Sequence, residues 1–398
     1  MKPRFLLSDV DLGEEEACAV ADVVRSKWLS VGPVTADFEN AFREAARSEH
    51  AVALSSCTAA LHLALMALDV GPGDEVLLPS YTFVATANAV LYRGATPVFV
   101  DIVGEHDLNL DVNDLRAKIS PRSKAMLVVH MAGFLADMDR IVEIAAEHEI
   151  DVVEDACHAI GAGLRGEDGS PLRGRKAGTM GRVGCFSFFA NKNLVTGEGG
   201  MVVTDDEDVA ARVRLARSHG MTNTSWDKAA GRATDYDIVQ PGYNYRCTEL
   251  TSALGLIQLR KLPAANARRR SLVARYRERL AGEPGLTIPF ADRLEDSAHH
   301  IFAIVLDDAA RRPALRRYLD GAGIQTAIHY PPVHEFTHYR ERFPLEGGLE
   351  RTVSVSAREL TLPLHPLLSR DDVDTICDTL LEGLAAVSTP GGSSMTSV

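Results

Sequence analysis

Between about residues 51 and 205, short apolar runs alternate along this chain with longer amphipathic stretches. The apolar runs have the length and composition of buried strands: Ala51–Leu54, Glu75–Leu78, Pro97–Asp101, Lys124–His130, Asp151–Glu154, Gly184–Phe189 and Gly200–Thr204. The stretches between them predict helices: Thr58–Asp69, Thr82–Tyr92, Asp111–Lys118 and Asp137–His148. Apolar strands that alternate with helices are typical of a mostly parallel sheet covered by helices on both faces. We therefore predict an α/β fold whose large domain is built on such a sheet.

A second, smaller domain is predicted toward the end of the chain. A charged helical segment leads away from the alternating region from about Leu262, and Pro284-Gly285 then marks a break. The remainder predicts an α+β domain: strand His300–Leu306, helix Pro313–Gly321, strand Ile324–Tyr330 and a helix near Asp371–Val387. We expect four segments: an N-terminal segment at 1–30 that packs on the small domain or a partner, a large domain at 31–260, a small domain at 261–387 and a disordered tail at 388–398.

The charge of the chain limits its partners. The formal net charge of −13 over 398 residues disfavours non-specific binding to nucleic acid or to an anionic membrane. The N-terminal residues contain no apolar stretch that fits a signal peptide, and no run reaches the length of a membrane span. The six cysteines form no Cys-x-x-Cys pair, and several lie inside apolar runs, as reduced thiols do. We expect a cytoplasmic, soluble protein.

Lys192 points most directly to chemistry. It follows the apolar run that ends at Phe189, and a desolvated lysine loses its proton easily and can form a Schiff base with a carbonyl. Asp155 closes another apolar run, and ligands of such sheets bind beyond the carboxyl ends of the strands. An acid and a lysine at two strand ends are the pair that pyridoxal phosphate (PLP) requires, with Asp155 on the ring nitrogen and Lys192 on the aldehyde. The alternative is a strand-end lysine paired with a nearby acid.

A phosphate site is predicted at the start of the first helix of the alternating region. Ser55-Ser-Cys-Thr-Ala-Ala-Leu61 follows a strand and opens this helix, so backbone amides near Cys57 and Thr58 could bind a phosphate. Simple capping of the helix by a hydroxyl is the alternative. The hydroxyl of Ser187 could reach the same phosphate, since Ser187 lies on the strand that leads to the lysine.

Two further side chains could contact a pyridine ring. Phe83 begins a helix after a strand and could stack on the ring, although a place in the core is the commoner fate of an aromatic residue. His158 follows Asp155 closely enough to touch a phenolic oxygen of the cofactor. A structural role is the alternative for this histidine, because the chain contains 13 histidines.

Two other patterns are considered and set aside. Gly161-Ala-Gly-Leu-Arg-Gly166 matches the dinucleotide-binding spacing, but turn residues follow it and Phe186 stands where an acid is required. His329, His334 and His338 could suggest a metal cluster. No carboxylate-rich or Cys-x-x-Cys framework accompanies them, so we predict that the protein binds no metal.

Taken together, the motifs resemble those of the DegT/StrS family of sugar aminotransferases, within the fold type I PLP enzymes. The matching segments run in order along nearly the whole chain, from about Trp28 to Pro366. They include Ser56–Leu61, Gly73–Val76, Pro79–Thr86, Gly94–Asp101, Glu154–Ala159, Ser187–Asn193, Gly197–Gly200, Gly242–Arg246, His329–His334 and Leu362–Pro366. Cys57 departs from the family pattern, because it replaces a glycine; we expect its φ to be below zero.

The resemblance implies roles for particular residues. Lys192 would hold PLP covalently, and Asp155 would keep the ring nitrogen protonated. The cofactor site would be completed by Cys57, Thr58, Phe83, His158, Ser187 and, from the neighbouring subunit, Asn244. The substrate site would contain Arg246, also from the neighbouring subunit, together with His329 and Tyr330. A homodimer with shared active sites would thus be the smallest active unit.

The resemblance also implies the reaction. Glutamate would give its amino group to the cofactor and leave as 2-oxoglutarate, and the cofactor would then aminate a keto sugar carried on a nucleotide. A nucleoside-diphosphate (NDP) 4-keto-6-deoxyhexose is the expected substrate, and an NDP-3-keto sugar or a cyclitol ketone stays open. Rival functions are a PLP-dependent sugar dehydratase, a PLP-binding sensor without catalysis and a metal enzyme. Some relatives that act as dehydratases carry histidine at the position of Lys192, so the intact lysine favours transamination.

Overall fold

The computed structural model describes residues 3–164, 170, 172–294, 297–345 and 347–387. The predicted disordered tail at 388–398 and Gly166 of the glycine motif lie outside these residues. Within them the chain forms a seven-stranded, mostly parallel sheet and a three-stranded antiparallel sheet. The predicted fold class, α/β with a smaller α+β part toward the C-terminus, is therefore confirmed.

The large sheet contains the strands predicted in the alternating region: β1 His50–Leu54, β2 Glu75–Pro79, β3 Thr96–Val100, β4 Ser123–Val129, β5 Asp151–Asp155, β6 Val183–Ser187 and β7 Gly200–Thr204. Their spatial order is β1-β7-β6-β5-β4-β2-β3. β7 is antiparallel to both of its neighbours, and the pairs from β6 to β3 are parallel. The carboxyl ends of the parallel strands therefore meet at one edge of the sheet, where ligands bind in folds of this kind.

Alternate side chains of these strands supply two separate apolar cores. In β4, for example, Ala125 and Leu127 belong to one buried cluster and Met126 and Val128 to the other. Successive side chains of a strand point to opposite faces, so both faces of the sheet are covered. This double burial explains why the strands read as continuous apolar runs rather than as alternating ones.

The helices from the N-terminus to residue 280 are α1 Glu14–Ser26, α2 Pro33–Ala46, α3 Cys57–Ala67, α4 Val84–Tyr92, α5 Val112–Ala117, α6 Met138–His148, α7 Glu207–Arg217, α8 Ser225–Ala229 and α9 Glu249–Leu280. Several begin where a polar side chain accepts a hydrogen bond from a first-turn amide, as Ser56, Asp111 and Asp206 do. α9 starts earlier than predicted, at Glu249, and continues across residue 261. The boundary predicted between the two domains thus falls inside one helix, and the division stays a prediction.

The smaller part of the chain contains β8 Leu286–Thr287, β9 Phe302–Leu306, α10 Arg311–Gly321, α11 Thr337–Arg342, α12 Glu350–Arg358, β10 Glu359–Leu362 and α13 Arg370–Val387. The order of its sheet is β10-β9-β8. The strand predicted at 324–330 is wrong, because Ile324 and Ala327 form only isolated bridges, to Phe5 and to Thr361. Pro331 and Pro332 follow, and proline has no backbone N–H with which to continue a ladder.

The N-terminal residues contact the smaller part of the chain. The backbone amides of Arg4 and Phe5 donate hydrogen bonds to the carbonyl oxygen of Gly323 at 2.8 and 2.9 Å, and the side chain of Phe5 is buried in the apolar cluster there. Among the described residues, no helix combines the length and the apolar character that crossing a membrane requires.

Candidate active site

A cavity of about 420 Å³ lies where β4, β5 and β6 end and α3 begins. Val129, Asp155 and Ser187 are the last residues of the three strands, and all three line it. All but two of the site residues predicted from the sequence line the same cavity: Cys57, Thr58, Phe83, Asp155, His158, Ser187, Lys192, His329 and Tyr330. The fold therefore brings together side chains that are far apart in the sequence.

The carboxylate of Asp155 is buried at the end of β5, and its orientation is fixed by two hydrogen bonds. Oδ2 accepts a hydrogen bond from Oγ1 of Thr86 at 3.0 Å, and Oδ1 accepts one from the backbone amide of Cys157 at 3.2 Å. Thr86 lies on α4 and is itself 3.0 Å from the hydroxyl of Thr82. Asp155 is thus held by the helix that follows β2 and by the turn that follows its own strand.

Lys192 lies in the loop between β6 and β7, and its side chain is partly buried in the cavity wall. Its Nζ lies 3.4 Å from Nε2 of His300. Removal from water lowers the pKa of Lys192, and Cys157 and the negative charge of Asp155 oppose this effect only in part. A lowered pKa leaves more of the lysine as free amine, which is the nucleophilic form.

The N-terminus of α3 opens onto the cavity. Oγ of Ser56 accepts a hydrogen bond from the amide of Ala59 at 3.1 Å, whereas the amides of Cys57 and Thr58 have no acceptor among the described residues. Cys57 is not among the residues with positive φ, so its side chain is accommodated without strain. Free amides at the start of a helix are suited to bind an anion.

A tyrosine and a histidine form one wall of the cavity. The hydroxyl of Tyr330 lies 3.0 Å from Nε2 of His158, and the ring of Phe83, which is 58% exposed, lies 6.1 Å from that of Tyr330. Burial, together with the nearby charge of Lys192, lowers the pKa of His158 well below its ordinary value, so its ring is neutral. Nδ1 of His158 is buried and has no hydrogen-bond partner among the described residues.

His329 is held by a buried polar network on β10. Its Nδ1 lies 2.9 Å from Oγ1 of Thr361, and its backbone amide donates a hydrogen bond to Oε2 of Glu359 at 2.8 Å. The hydroxyl of Thr361 also donates to Oε1 of Glu359 at 2.5 Å. Burial lowers the pKa of His329 to about 4 and raises that of Glu359 to about 8. This network fixes the segment that carries His329 and Tyr330.

The cavity also contains two thiols. Sγ of Cys157 lies 3.0 Å from Sγ of Cys57, and both cysteines are free. The contact with Cys157 lowers the pKa of Cys57, but burial together with the nearby Asp155 and Cys185 outweighs it and raises that pKa to about 11. Burial also raises the pKa of Cys157. With Asp155 these thiols form the one group of potential metal ligands among the described residues. His334 instead contacts Ser80, so the histidines considered from the sequence do not form a cluster; that the protein binds no metal stays a prediction.

Asn244 and Arg246 do not line the cavity of their own chain. Asn244 forms an isolated bridge to Ser218 and Arg246 one to Leu54, on the segment that precedes α9. The family resemblance implied that both residues belong to a neighbouring subunit's site. A position outside their own cavity is compatible with that assignment, which stays a prediction.

Some residues that line the cavity or contact its lining were not singled out from the sequence. Thr86 was noted only as part of a motif, although its spacing from Phe83, one turn of α4, could have placed it on the same side of the helix. Asn191 and Glu198 line the cavity and flank the predicted lysine loop. His300 comes from the smaller part of the chain, and no local sequence pattern connects it with Lys192.

The sequence was compared with known families and proteins. The profile of the DegT/DnrJ/EryC1/StrS aminotransferase family matches residues 10–381. The spore coat polysaccharide biosynthesis protein SpsC of Bacillus subtilis (strain 168) is 38% identical over 375 residues, which cover 93% of this chain and 94% of SpsC.

Solved structures agree with this family match. The putative sugar aminotransferase Spr1654 from Streptococcus pneumoniae, in its PMP-form, superimposes with a TM-score of 0.89 at 30% identity, over 96% of this chain and all of Spr1654; its PLP-form is also known. DesI, crystallised in the presence of its TDP-sugar product, has a TM-score of 0.83 at 32% identity, over 98% of this chain and 94% of DesI.

Proposed function

Because this chain belongs to the DegT/DnrJ/EryC1/StrS aminotransferase family, we propose that it transfers the amino group of glutamate to a keto sugar carried on a nucleotide. The chain is an aminotransferase of the sugar-modifying kind, and PLP is its cofactor. The substrate that we propose is an NDP-4-keto-6-deoxyhexose, which would become a 4-amino sugar. The observation that carries the proposal is the convergence of Lys192, Asp155 and the N-terminus of α3 on one cavity.

The residues of this cavity fit PLP. The free amides of Cys57 and Thr58 at the start of α3 are suited to the phosphate, and Thr58 and Ser187, which carry hydroxyls, line the same cavity. The buried Nδ1 of His158 lacks a partner in the described chain, and buried polar atoms without partners are uncommon in folded proteins. We assign to this nitrogen a polar group of the bound cofactor.

When bound, PLP supplies an aldehyde that captures amines and a ring that withdraws electrons from the reacting carbon. Asp155 would face the ring nitrogen and hold a proton there, and its two hydrogen bonds from Thr86 and Cys157 keep the carboxylate oriented for this task. Lys192 would bind the aldehyde covalently and, once displaced, move a proton at the reacting carbon. Its lowered pKa makes the free amine available for both steps. Phe83 would lie against the ring.

We place the sugar at the wall formed by His329 and Tyr330. Both side chains line the cavity from the smaller part of the chain. A neutral His329 and the hydroxyl of Tyr330 are suited to hydrogen-bond sugar hydroxyls. The nucleotide is inferred from relatives, since DesI is known with a TDP-sugar; an NDP-3-keto sugar or a cyclitol ketone is the alternative substrate.

We further propose a homodimer in which Asn244 and Arg246 complete the partner's site. Both lie outside their own cavity. Mixing experiments test this directly: Lys192→Ala and Arg246→Ala should each be inactive alone, and dimers that contain one chain of each should regain one complete site. Absence of any recovery in verified mixed dimers would place Arg246 in a different role.

The substrate is tested by a two-step absorbance experiment. The cofactor is first converted to its amino form with glutamate, the excess is removed, and candidate ketones are added one at a time. We expect an NDP-4-keto-6-deoxyhexose to restore the original spectrum fastest, and initial rates to follow ping-pong kinetics. Faster recovery with an NDP-3-keto sugar or a cyclitol ketone would replace the proposed substrate by that compound.

A further inference from the structure

His300 is a buried residue just before β9 that none of the roles above includes. Its ring lies between two elements of the candidate site: Nε2 is 3.4 Å from Nζ of Lys192, and the ring centroid is 4.3 Å from that of His158. His300 belongs to the smaller part of the chain and Lys192 to the loop after β6. The contact therefore joins the lysine to a separate part of the fold.

The proton on the His300 ring can be assigned from its neighbours. Nδ2 of Asn193 donates to the carbonyl oxygen of Ala298 at 2.7 Å and to Oδ1 of Asn266 at 2.9 Å. A carbonyl oxygen can only accept, so this atom of Asn193 is the NH₂ and the other is the oxygen. Oδ1 of Asn193 lies 3.0 Å from Nδ1 of His300. Nδ1 of His300 must therefore carry the proton and donate it.

The ring is neutral, so only one of its nitrogens is protonated. Burial, with the charge of Lys192 next, lowers the pKa of His300 well below its ordinary value. Since Nδ1 carries the proton, Nε2 presents a lone pair toward Nζ of Lys192. The other titratable or charged groups that face this pair are Asp155, Cys57, Cys157, His158, His329 and Arg269.

We propose that His300 is a positioning residue for Lys192: its Nε2 accepts a hydrogen bond from the Lys192 amine when that amine is not bound to the cofactor. This hydrogen bond turns the lone pair of the amine away from His300 and toward the cavity, where the amine moves a proton. Asn193 acts one step further out, because it fixes the tautomer of His300. The proposal rests on the proposed function, in which Lys192 is the proton carrier.

Substitutions at His300 can distinguish its role as a hydrogen-bond acceptor from the space that its ring fills. His300→Asn keeps a donor for Asn193 but removes the acceptor near Lys192, whereas His300→Gln can place an amide oxygen near the former Nε2. His300→Phe fills the space of the ring but has no acceptor, and it replaces His300→Asn in the experiment if that variant does not fold. His299→Asn is the control: it changes a neighbouring buried histidine whose hydrogen bond goes to Leu294, and asparagine tolerates its positive φ.

The first readout does not depend on catalysis. In the full-length protein freed of cofactor, the rate at which an amine-reactive reagent labels Lys192 is followed against pH by mass spectrometry. A hydrogen bond accepted from the ammonium form favours that form. We expect the pKa of Lys192 to fall in His300→Asn and His300→Phe, to stay near the wild-type value in His300→Gln, and to be unchanged in His299→Asn. An unchanged or raised pKa in both acceptor-free variants would overturn the proposal.

The second readout is the single-turnover reaction of the PLP-bound protein with glutamate. We expect the rate constant at saturating glutamate to fall about 10- to 100-fold in the acceptor-free variants, because a catalytic group that is wrongly oriented lowers the reaction rate by about this factor. The concentration of glutamate for half-maximal rate should not change, and His300→Gln should recover part of the rate. If the wild-type protein does not react with glutamate, the proposed function fails, while the labelling experiment still decides the contact between His300 and Lys192.

Discussion

Oγ1 of Thr86 lies 3.0 Å from Oδ2 of Asp155 and donates a hydrogen bond to it. This bond connects α4 with the end of β5; α4 follows β2, and β4 lies between β2 and β5 in the sheet. With the amide of Cys157 on the other oxygen, it leaves the carboxylate only one orientation. An acid that must meet a ring nitrogen benefits from such a fixed orientation, since no reorganisation is needed when the cofactor binds.

We expect Thr86→Val to weaken PLP binding about tenfold or more. A hydrogen bond to a charged group contributes about 1.5–3 kcal/mol, and valine keeps the shape of threonine without the donor. Thr86→Ser keeps the hydroxyl and is the control. The dissociation constant is measured from the absorbance of the bound cofactor. Equal affinity in the valine variant and the wild type would show that this hydrogen bond does not support the cofactor site.

Gly200→Ala should damage the phosphate side of the cavity. A Cβ at Gly200 would lie 2.4 Å from the carbonyl carbon of Ser56 and 2.6 Å from the amide nitrogen of Cys57, so the first turn of α3 must shift. We expect a loss of stability of about 1–3 kcal/mol from overpacking, together with weaker PLP binding. Gly71→Ala is the matched control, because no atom lies within 4 Å of a Cβ there. Thermal unfolding and PLP titration of both variants measure these effects. Equal unfolding temperatures and equal PLP affinities in the two variants would contradict the close approach of Gly200 to Ser56 and Cys57.

Glu249→Gln should destabilise the protein without touching the cavity. The buried carboxylate of Glu249 accepts hydrogen bonds from the amides of Gly32, Val34 and Thr35 at 2.8–2.9 Å and from the hydroxyl of Thr35 at 2.6 Å. A glutamine would turn an NH₂ group toward some of these donors and leave buried N–H groups unpaired. We expect a loss of about 2–3 kcal/mol, measured by denaturant unfolding.

The control for Glu249 is another glutamate on the surface. Glu15→Gln removes an exposed ion pair with Arg260, and such pairs contribute little to stability. Its unfolding midpoint should stay close to that of the wild type. If both glutamine variants lose the same free energy of unfolding, the hydrogen bonds of Glu249 to the start of α2 contribute no more to stability than an exposed ion pair does.

The pH dependence of stability should change in Glu359→Gln. Burial raises the pKa of Glu359 from its ordinary 4.5 to about 8, although the hydrogen bonds from Thr361 and His329 oppose this. The folded protein therefore holds this proton to a higher pH than the unfolded chain does. The resulting stability is present in full below about pH 4.5 and is lost as the pH rises through about 8.

Glutamine does not titrate, so the free energy of unfolding of the wild type should fall relative to that of Glu359→Gln between about pH 5 and about pH 8. Denaturant unfolding across this range measures the difference. A difference that is independent of pH, or that changes in the opposite direction, would show that Glu359 is ionised in the folded protein.

The sheet could be predicted from the sequence because its strands are buried on both faces. β4, for example, was expected at Lys124–His130 and lies at Ser123–Val129. The helices α3 to α6 were also located; Ser56, Asp111 and Asp137 cap α3, α5 and α6, whereas no side chain caps α4. The strand expected at 324–330 was wrong, because only Ile324 and Ala327 pair there, each in one isolated bridge, before Pro331.

The candidate site could be predicted where its residues follow strand ends in the large sheet, as Asp155, Ser187 and Lys192 do. Residues whose position depends on tertiary packing could not. His300 reaches Lys192 only because the smaller part of the chain folds back over the sheet, and the tautomer that gives it a role depends on Asn193 and Ala298. No short-range pattern of residues in the sequence predicts the contact between His300 and Lys192.

The most direct test of transamination at Lys192 is the absorbance spectrum of the purified protein with PLP, before and after addition of glutamate. We expect the visible band of the lysine-bound cofactor to disappear and a near-ultraviolet band of the aminated cofactor to replace it. Lys192→Ala should lack the visible band. Its reaction with glutamate should be slower than that of the wild type by about 10²- to 10⁴-fold or more. A bound cofactor whose spectrum glutamate leaves unchanged, or turnover retained in Lys192→Ala, would contradict the assignment of Lys192 as the catalytic lysine of a glutamate-dependent aminotransferase.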